Sequence, residues 1–126
     1  MTRQSISSDR LPRIAAPFSP AVRAKDLLFL SGQVGQEPQA GMRIDGDVAA
    51  QTRQIFANLR SLLEAADRTL DDVVKANVYL TDMADYAAMN DVYGKEFSAP
   101  YPARTCVAVT ALPLGAQVEI EVVVQC

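Results

Sequence analysis

Apolar residues recur along this chain at spacings that separate strands from helices. The most regular run is at the end, where Val118, Ile120, Val122 and Val124 take every second position and Glu119, Glu121, Val123 and Gln125 lie between them. A period of two predicts a strand with one buried side. Leu27-Leu28-Phe29-Leu30, running into Ser31-Gly32-Gln33-Val34, is a continuous apolar run, which predicts a strand covered on both faces. A short strand around Val22 precedes it across a turn at Ala24-Lys25-Asp26. Val48, Thr52, Ile55, Phe56, Leu59, Leu62, Leu63 and Ala66 recur at three- and four-residue steps. That stripe predicts a helix capped by Asp47 and reaching Asp67, with Gln51, Arg53, Gln54, Arg60 and Glu64 on its polar face. Leu70 to Leu80 reads as a strand entered through Asp71-Asp72, with Val74, Ala76, Val78 and Leu80 on one face and Val73, Lys75, Asn77 and Tyr79 on the other. A second helix is capped at Thr81-Asp82 and runs to about Phe97; Tyr86, Met89, Tyr93 and Phe97 form its stripe, and Asn90 lies within it. Ser98-Ala99-Pro100-Tyr101-Pro102 stops that helix and sets the entry of a strand through Arg104 and Cys106. The first sixteen residues carry little pattern beyond one short edge strand, Pro12 and Pro17 bracket a loop, and 36–46 is read as a loop around Pro38, Gly41 and Gly46.

The order strand, strand, helix, strand, helix, strand, strand, without repeat or linker, predicts a single α+β domain over 1–126: a mixed sheet of about six strands with two helices on one face. The uncovered face is neither cleanly polar nor cleanly apolar. Glu119, Glu121, Val123 and Gln125, taken with Cys106 and Ala108, suggest an oligomer surface.

Composition then narrows the chemistry. The chain has 126 residues, 12 basic against 15 acidic, a net charge of −3 and no histidine. The acidic balance disfavours nonspecific binding to nucleic acid or membrane. The lack of imidazole removes Ser-His and Cys-His nucleophile pairs and the usual metal ligands. Acid-base work falls to carboxylates, Lys, Tyr, Cys or water. Cys106 and Cys126 have no metal-binding spacing and read as free thiols; the start of the chain lacks a signal-peptide run, so the expected compartment is the cytoplasm. No apolar run is long enough to span a membrane.

Three groups stand out. Arg104, always ionised and fork-shaped, sits on a strand of small or apolar residues, so it is either half of a structural ion pair or a receptor for a carboxylate or phosphate. Ser31-Gly32, ending a buried strand, is either a turn or a place where an anion approaches the backbone. Asn90, within an apolar stripe, needs hydrogen-bond partners, from a neighbouring loop or from a ligand. If the last two strands form a hairpin around Leu112–Ala116, Glu119 faces Val109 and Arg104 lies near Val124, leaving Arg104 and Glu119 on the order of 16 Å apart. Either those strands are not neighbours in that register, or Arg104 of one copy approaches a carboxylate of another.

The chain resembles the Rid deaminases, the YjgF family, over nearly its whole length. The resemblance is carried by Pro17-Phe18-Ser19-Pro20-Ala21-Val22, Phe29-Leu30-Ser31-Gly32-Gln33, Gln51-Thr52 with Asn58-Leu59, Asp72-Val73-Val74-Lys75, Leu80-Thr81-Asp82-Met83, Asn90 to Tyr93, Pro102-Ala103-Arg104, Leu112-Pro113 and Val118-Glu119-Ile120-Glu121, in that order. It implies a chorismate-mutase-like fold assembled as a homotrimeric barrel with clefts between subunits. It also implies hydrolysis of reactive 2-imino acids to 2-keto acids and ammonia without metal or cofactor. Arg104 would clamp the substrate carboxylate, Glu119 would position or activate water, and Phe18, Ser31, Gly32, Asn90 and Cys106 would line the pocket. Phe18 stands where the family commonly has tyrosine, and Ala16 where it has glycine. Other readings are a trimeric small-carboxylate-binding regulator without turnover, an RNA-cleaving protein, disfavoured by the acidic charge and missing histidine, and redox or chaperone action through Cys106.

Overall fold

In a computed structural model describing residues 2–126, six strands form one sheet in the order β1-β2-β3-β8-β6-β7. They are β1 (Gln4–Ile6), β2 (Ala21–Ala24), β3 (Leu27–Gln33), β6 (Val73–Leu80), β7 (Ala103–Ala108) and β8 (Val118–Gln125). Helices α1 (Val48–Ala65) and α2 (Tyr86–Glu96) cover one face. All neighbouring pairs are antiparallel except β6 and β7, which run parallel and are joined through α2. This is the expected mixed α+β sheet. No helix among the described residues is long and apolar enough to cross a membrane.

The helix signals act as read. The Asp47 carboxylate accepts from Ala50 N at 3.0 Å, and Ile55, Phe56, Leu59, Leu62 and Leu63 are buried against Val118, Ile120, Val122 and Val124 of β8. Phe56 also meets Tyr93 and Phe97 edge-on, tying α1 to α2. Gln51, placed on the polar face by periodicity, is instead buried. Its amide donates to Gly46 O and Gln117 Oε1, and its carbonyl accepts from Gln117 N at 2.9 Å. Buried Asn58 likewise donates to Gln36 O at 3.0 Å. These two amides clip the loop after β3 and the start of β8 onto α1.

Several expectations need correcting. The run 27–34 is not covered on both faces: Leu28 and Leu30 are buried, while Leu27 and Phe29 lie on the open side, Phe29 at 44 % exposure. Residues 36–46 are not only loop, since β4 (Gln36–Glu37) pairs with β5 (Arg43–Ile44) around a 3-10 turn at Pro38–Ala40. Leu70–Asp72 is a capped 3-10 turn, and β6 starts at Val73. Between Val73 and Lys75 one extra residue bulges relative to β8, so Val73 turns inward and Val74 outward, the reverse of strict alternation. A further 3-10 turn, Met83–Asp85, precedes α2, whose buried residues are Met89, Val92 and Tyr93; Tyr86 is exposed.

The last two strands do not form a hairpin. β6 lies between β7 and β8, with Arg104 beside Ala76 and Val122, and Val107 beside Tyr79 and Glu119. This register also moves two residues between faces. Cys106 and Ala108 align with Val78 and Leu80 on the helix side, so the apolar residues of the open side include Val22, Leu27, Phe29, Val74, Val107 and Val123.

Candidate active site

The residues singled out by sequence fall into two groups within one chain. The first lies on the helix side of edge strand β7. Arg104 Nη1 donates to Asn90 Oδ1 at 2.7 Å and Nη2 donates to the Tyr86 hydroxyl at 2.9 Å. Its guanidinium carbon stands 4.8 Å from the Tyr93 ring centre and 5.5 Å from that of Tyr86. Tyr86, Asn90 and Tyr93 follow one another at four- and three-residue steps on α2, so one helix face supplies two acceptors and two rings. Arg104 is in no ion pair among the described residues, where the ion pairs are Arg10–Glu64, Arg43–Asp45 and Arg60–Glu96. Within the chain, Arg104 therefore meets no carboxylate among the described residues. Asn90 spends its carbonyl on Arg104 rather than on a loop.

Cys106 lies two residues further along the same side. Burial pushes its thiol up, against the opposing pull of Arg104. A thiol held protonated is a poor nucleophile, which counts against redox chemistry there.

The second group surrounds a cavity of about 540 Å³ at the other end of β8. Ser31, Gly32, Gln33, Gln36, Asn58, Glu119 and Glu121 supply its polar groups, and Leu11, Pro12, Ile14, Phe18, Met42 and Leu114 contribute apolar walls. The backbone approaches closely here because β3 carries an extra residue between Leu30 and Gln33, opposite Glu121. Gly32 sits on that bulge, and a Cβ there would collide with the Glu119 carboxylate oxygen. The Ser31 hydroxyl donates to Ser19 O at 2.7 Å, so towards the cavity it offers lone pairs. Met42 and Leu114 hold positive φ of 65° and 60°, a strained region for such side chains.

The Glu119 carboxyl is pushed above the usual carboxylate range, first by burial and then by the charge of Glu121. Glu121 Oε1 accepts from Asn77 Nδ2 at 3.1 Å and from the Tyr79 hydroxyl in a short hydrogen bond. Periodicity placed Asn77 and Tyr79 on the open face of β6 but gave no sign of what they reach. Tyr86 was likewise visible only as a stripe residue. A second hollow, of about 280 Å³ and lined by Arg60, Arg68 and Glu96, holds none of the candidate residues.

The structure thus brings Phe18, Ser31, Gly32 and Glu119 together, and separately Arg104, Asn90 and Cys106. Arg104 and Glu119 are two strand spacings and three residues apart, on the order of 14 Å, and point to opposite faces of the sheet.

Comparison with known proteins places this fold. A family model described as Endoribonuclease L-PSP matches residues 9–126. The chain belongs to that family, the YjgF or Rid family. It is 38 % identical over 123 residues to the 2-iminobutanoate/2-iminopropanoate deaminase of Bos taurus, covering 98 % of this chain and 90 % of the relative. Among solved structures, RidA from an Antarctic Psychrobacter superposes with a TM-score of 0.93 at 42 % identity, covering 98 % of this chain and all of that one. E. coli TdcF with bound serine superposes with a TM-score of 0.90 at 34 % identity, covering 98 % of each chain.

Proposed function

We propose that the protein is a hydrolytic deaminase that converts reactive 2-imino acids, and the enamines in equilibrium with them, to 2-keto acids and ammonia. It works as a homotrimer in which Arg104 of one copy completes the Glu119 cavity of the next. The observation that carries this reading is the ionised, half-buried Arg104 whose side-chain hydrogen-bond partners among the described residues are neutral, Asn90 and Tyr86. A charge so placed favours an outside carboxylate, worth roughly 1.5–3 kcal/mol for a hydrogen bond to a charged group. The apolar residues on the open side supply a surface on which copies assemble.

In this reading Arg104 fixes the substrate carboxylate and leaves the imine carbon facing the Glu119 water. The imine is protonated on nitrogen. Glu119 takes a proton from water as the oxygen–carbon bond forms and the C=N π pair moves to nitrogen, giving a neutral carbinolamine. Glu119 then returns the proton to nitrogen. The C–N bond breaks, ammonia leaves, an oxygen lone pair closes the C=O bond, and the hydroxyl proton passes to solvent. An iminium is already electrophilic, so orientation and one carboxylate suffice. Ser31, Gly32 and Phe18 shape one wall, and Asn90 and Cys106 accompany Arg104 at the other.

The test generates 2-iminobutanoate in situ with threonine dehydratase and traps what remains with semicarbazide. Wild type should lower the trapped fraction, and Arg104→Ala should not. An unchanged fraction with wild type overturns the assignment for this substrate. The serine bound to TdcF favours a second reading, a small-carboxylate binder without turnover. Calorimetric binding of a 2-keto acid, lost in Arg104→Ala but accompanied by no wild-type turnover, would establish it.

A further inference from the structure

The cavity holds a second carboxylate that the hydrolysis above leaves unused. Glu121 follows Glu119 by two residues on one strand, so both point to the same face with Cα atoms about 7 Å apart, and both line the cavity. They are held in opposite ways. Glu121 Oε1 receives two donors from β6, the amide of its register partner Asn77 and the hydroxyl of Tyr79. Glu119 accepts no side-chain hydrogen bond among the described residues and leans over the bare backbone of Gly32. One carboxylate is anchored, and the other is free to turn towards a ligand.

An amide and a phenol donate hydrogen bonds but carry no positive charge. They fix the Glu121 charge in place without cancelling it. Around Glu119, its own strand presents Glu121 and β6 presents Tyr79 in direct register, whereas the β3 bulge brings only Ser31 and Gly32, neither charged nor titrating. Lys75, further along β6, donates instead to Thr105 Oγ1 at 3.3 Å. The charge beside Glu119 on its own strand is therefore of the same sign, and a like charge on an adjacent group strengthens its hold on a proton.

We propose that Glu121, clamped by Tyr79 and Asn77, is a positioning residue for Glu119, making Glu119 the stronger base at the attacking water. The role assigned to the water rests on the deaminase reading; the coupling between the carboxyls is a property of the chain whatever it turns over. Burial acts on Glu119 in the same direction. Tyr79 stays a donor throughout, since its hydroxyl is pushed up to about 12, chiefly by its bond to Glu121.

The test reads two quantities in wild type, Glu121→Gln and Tyr79→Phe: the titration of the Glu119 carboxyl carbon by 13C NMR, and the pH profile of kcat/KM on 2-iminobutanoate. Glu121→Gln keeps an acceptor for both donors and removes the charge, so the Glu119 titration and the acidic limb of the profile should both move down. At neutral pH kcat should fall roughly three- to tenfold, with KM within about twofold, because a weaker base is less effective in proton transfer. Tyr79→Phe removes a donor and leaves the Glu121 charge less dispersed, so both should move up. Loosening of the fold would move the two variants the same way. A Glu119 titration unmoved by Glu121→Gln, or moved in one direction by both changes, overturns the proposal even where wild type turns over. If wild type shows no turnover yet the titrations separate in opposite senses, the coupling stands and the deaminase reading falls.

Discussion

The two charged centres of this chain solve opposite problems. Arg104 sits on an edge strand between two tyrosine rings, with neutral acceptors at two of its nitrogens. The environment holds the cation in place without neutralising it. Glu119 sits in a cavity with mainly apolar walls beside another carboxylate, and its environment opposes ionisation. A receptor for a permanent anion wants the first arrangement. A base that must take and return a proton wants the second. Geometry and electrostatics thus set the proposed grip apart from the proposed base, although both belong to one sheet.

That contrast can be broken experimentally. The largest effect is expected at the grip: Arg104→Ala should lower kcat/KM by about 10²–10³-fold, the scale of losing a bidentate ion pair at the substrate. Because no carboxylate among the described residues loses a partner, its thermal midpoint should stay within a few degrees of wild type. A collapse in stability of the kind seen when a buried ion pair is broken would show that Arg104 is structural after all. Gly32→Ala should come next. The added methyl displaces the Glu119 carboxylate, the flexible end of a side chain, so kcat should drop by roughly tenfold with little change in midpoint. Unaltered kcat would mean that the observed carboxylate position is not the working one.

The smallest effect is in stability. Folding raises the Glu119 carboxyl, so the native chain binds this proton more tightly than the unfolded chain. Stability then declines as pH rises from the ordinary carboxylate range, about 4, through the native titration, and ionised Glu119 costs stability at neutral pH. Glu119→Gln removes that cost. Its thermal midpoint should exceed that of wild type near neutrality and converge with it as pH falls to about 4, even as turnover disappears. A midpoint below wild type at neutral pH would show that the carboxylate is stabilised where it stands.

Much of this was legible in the sequence. Alternation in Val118–Val124 and the stripe through Ile55, Phe56 and Leu59 specify which side of each element faces the core, since burial follows those periods. Pairing is another matter. Nothing in the period of β7 or β8 shows that β6 lies between them, and nothing in the sequence shows that Cys106 and Ala108 share the helix side with Val78 and Leu80 rather than the open side. The bulges escaped for a related reason: one extra residue at Val74 or at Ser31-Gly32 shifts register without altering composition. Buried amides were also hidden. Gln51 looks like a solvent-facing residue until its three hydrogen bonds to Gly46 and Gln117 are seen, and Tyr79 and Asn77 acquire meaning only once Glu121 lies beside them.

The interposed strand β6 has a consequence for inheritance of activity between copies. In the proposed assembly each site draws its grip from one copy and its base from the next, so a chain lacking one and a chain lacking the other should each be dead alone but carry complementary halves. Unfolding Arg104→Ala and Glu119→Gln together and refolding them as a mixture should regenerate about a quarter of the sites in randomly assembled particles, whereas either parent refolded separately should stay silent.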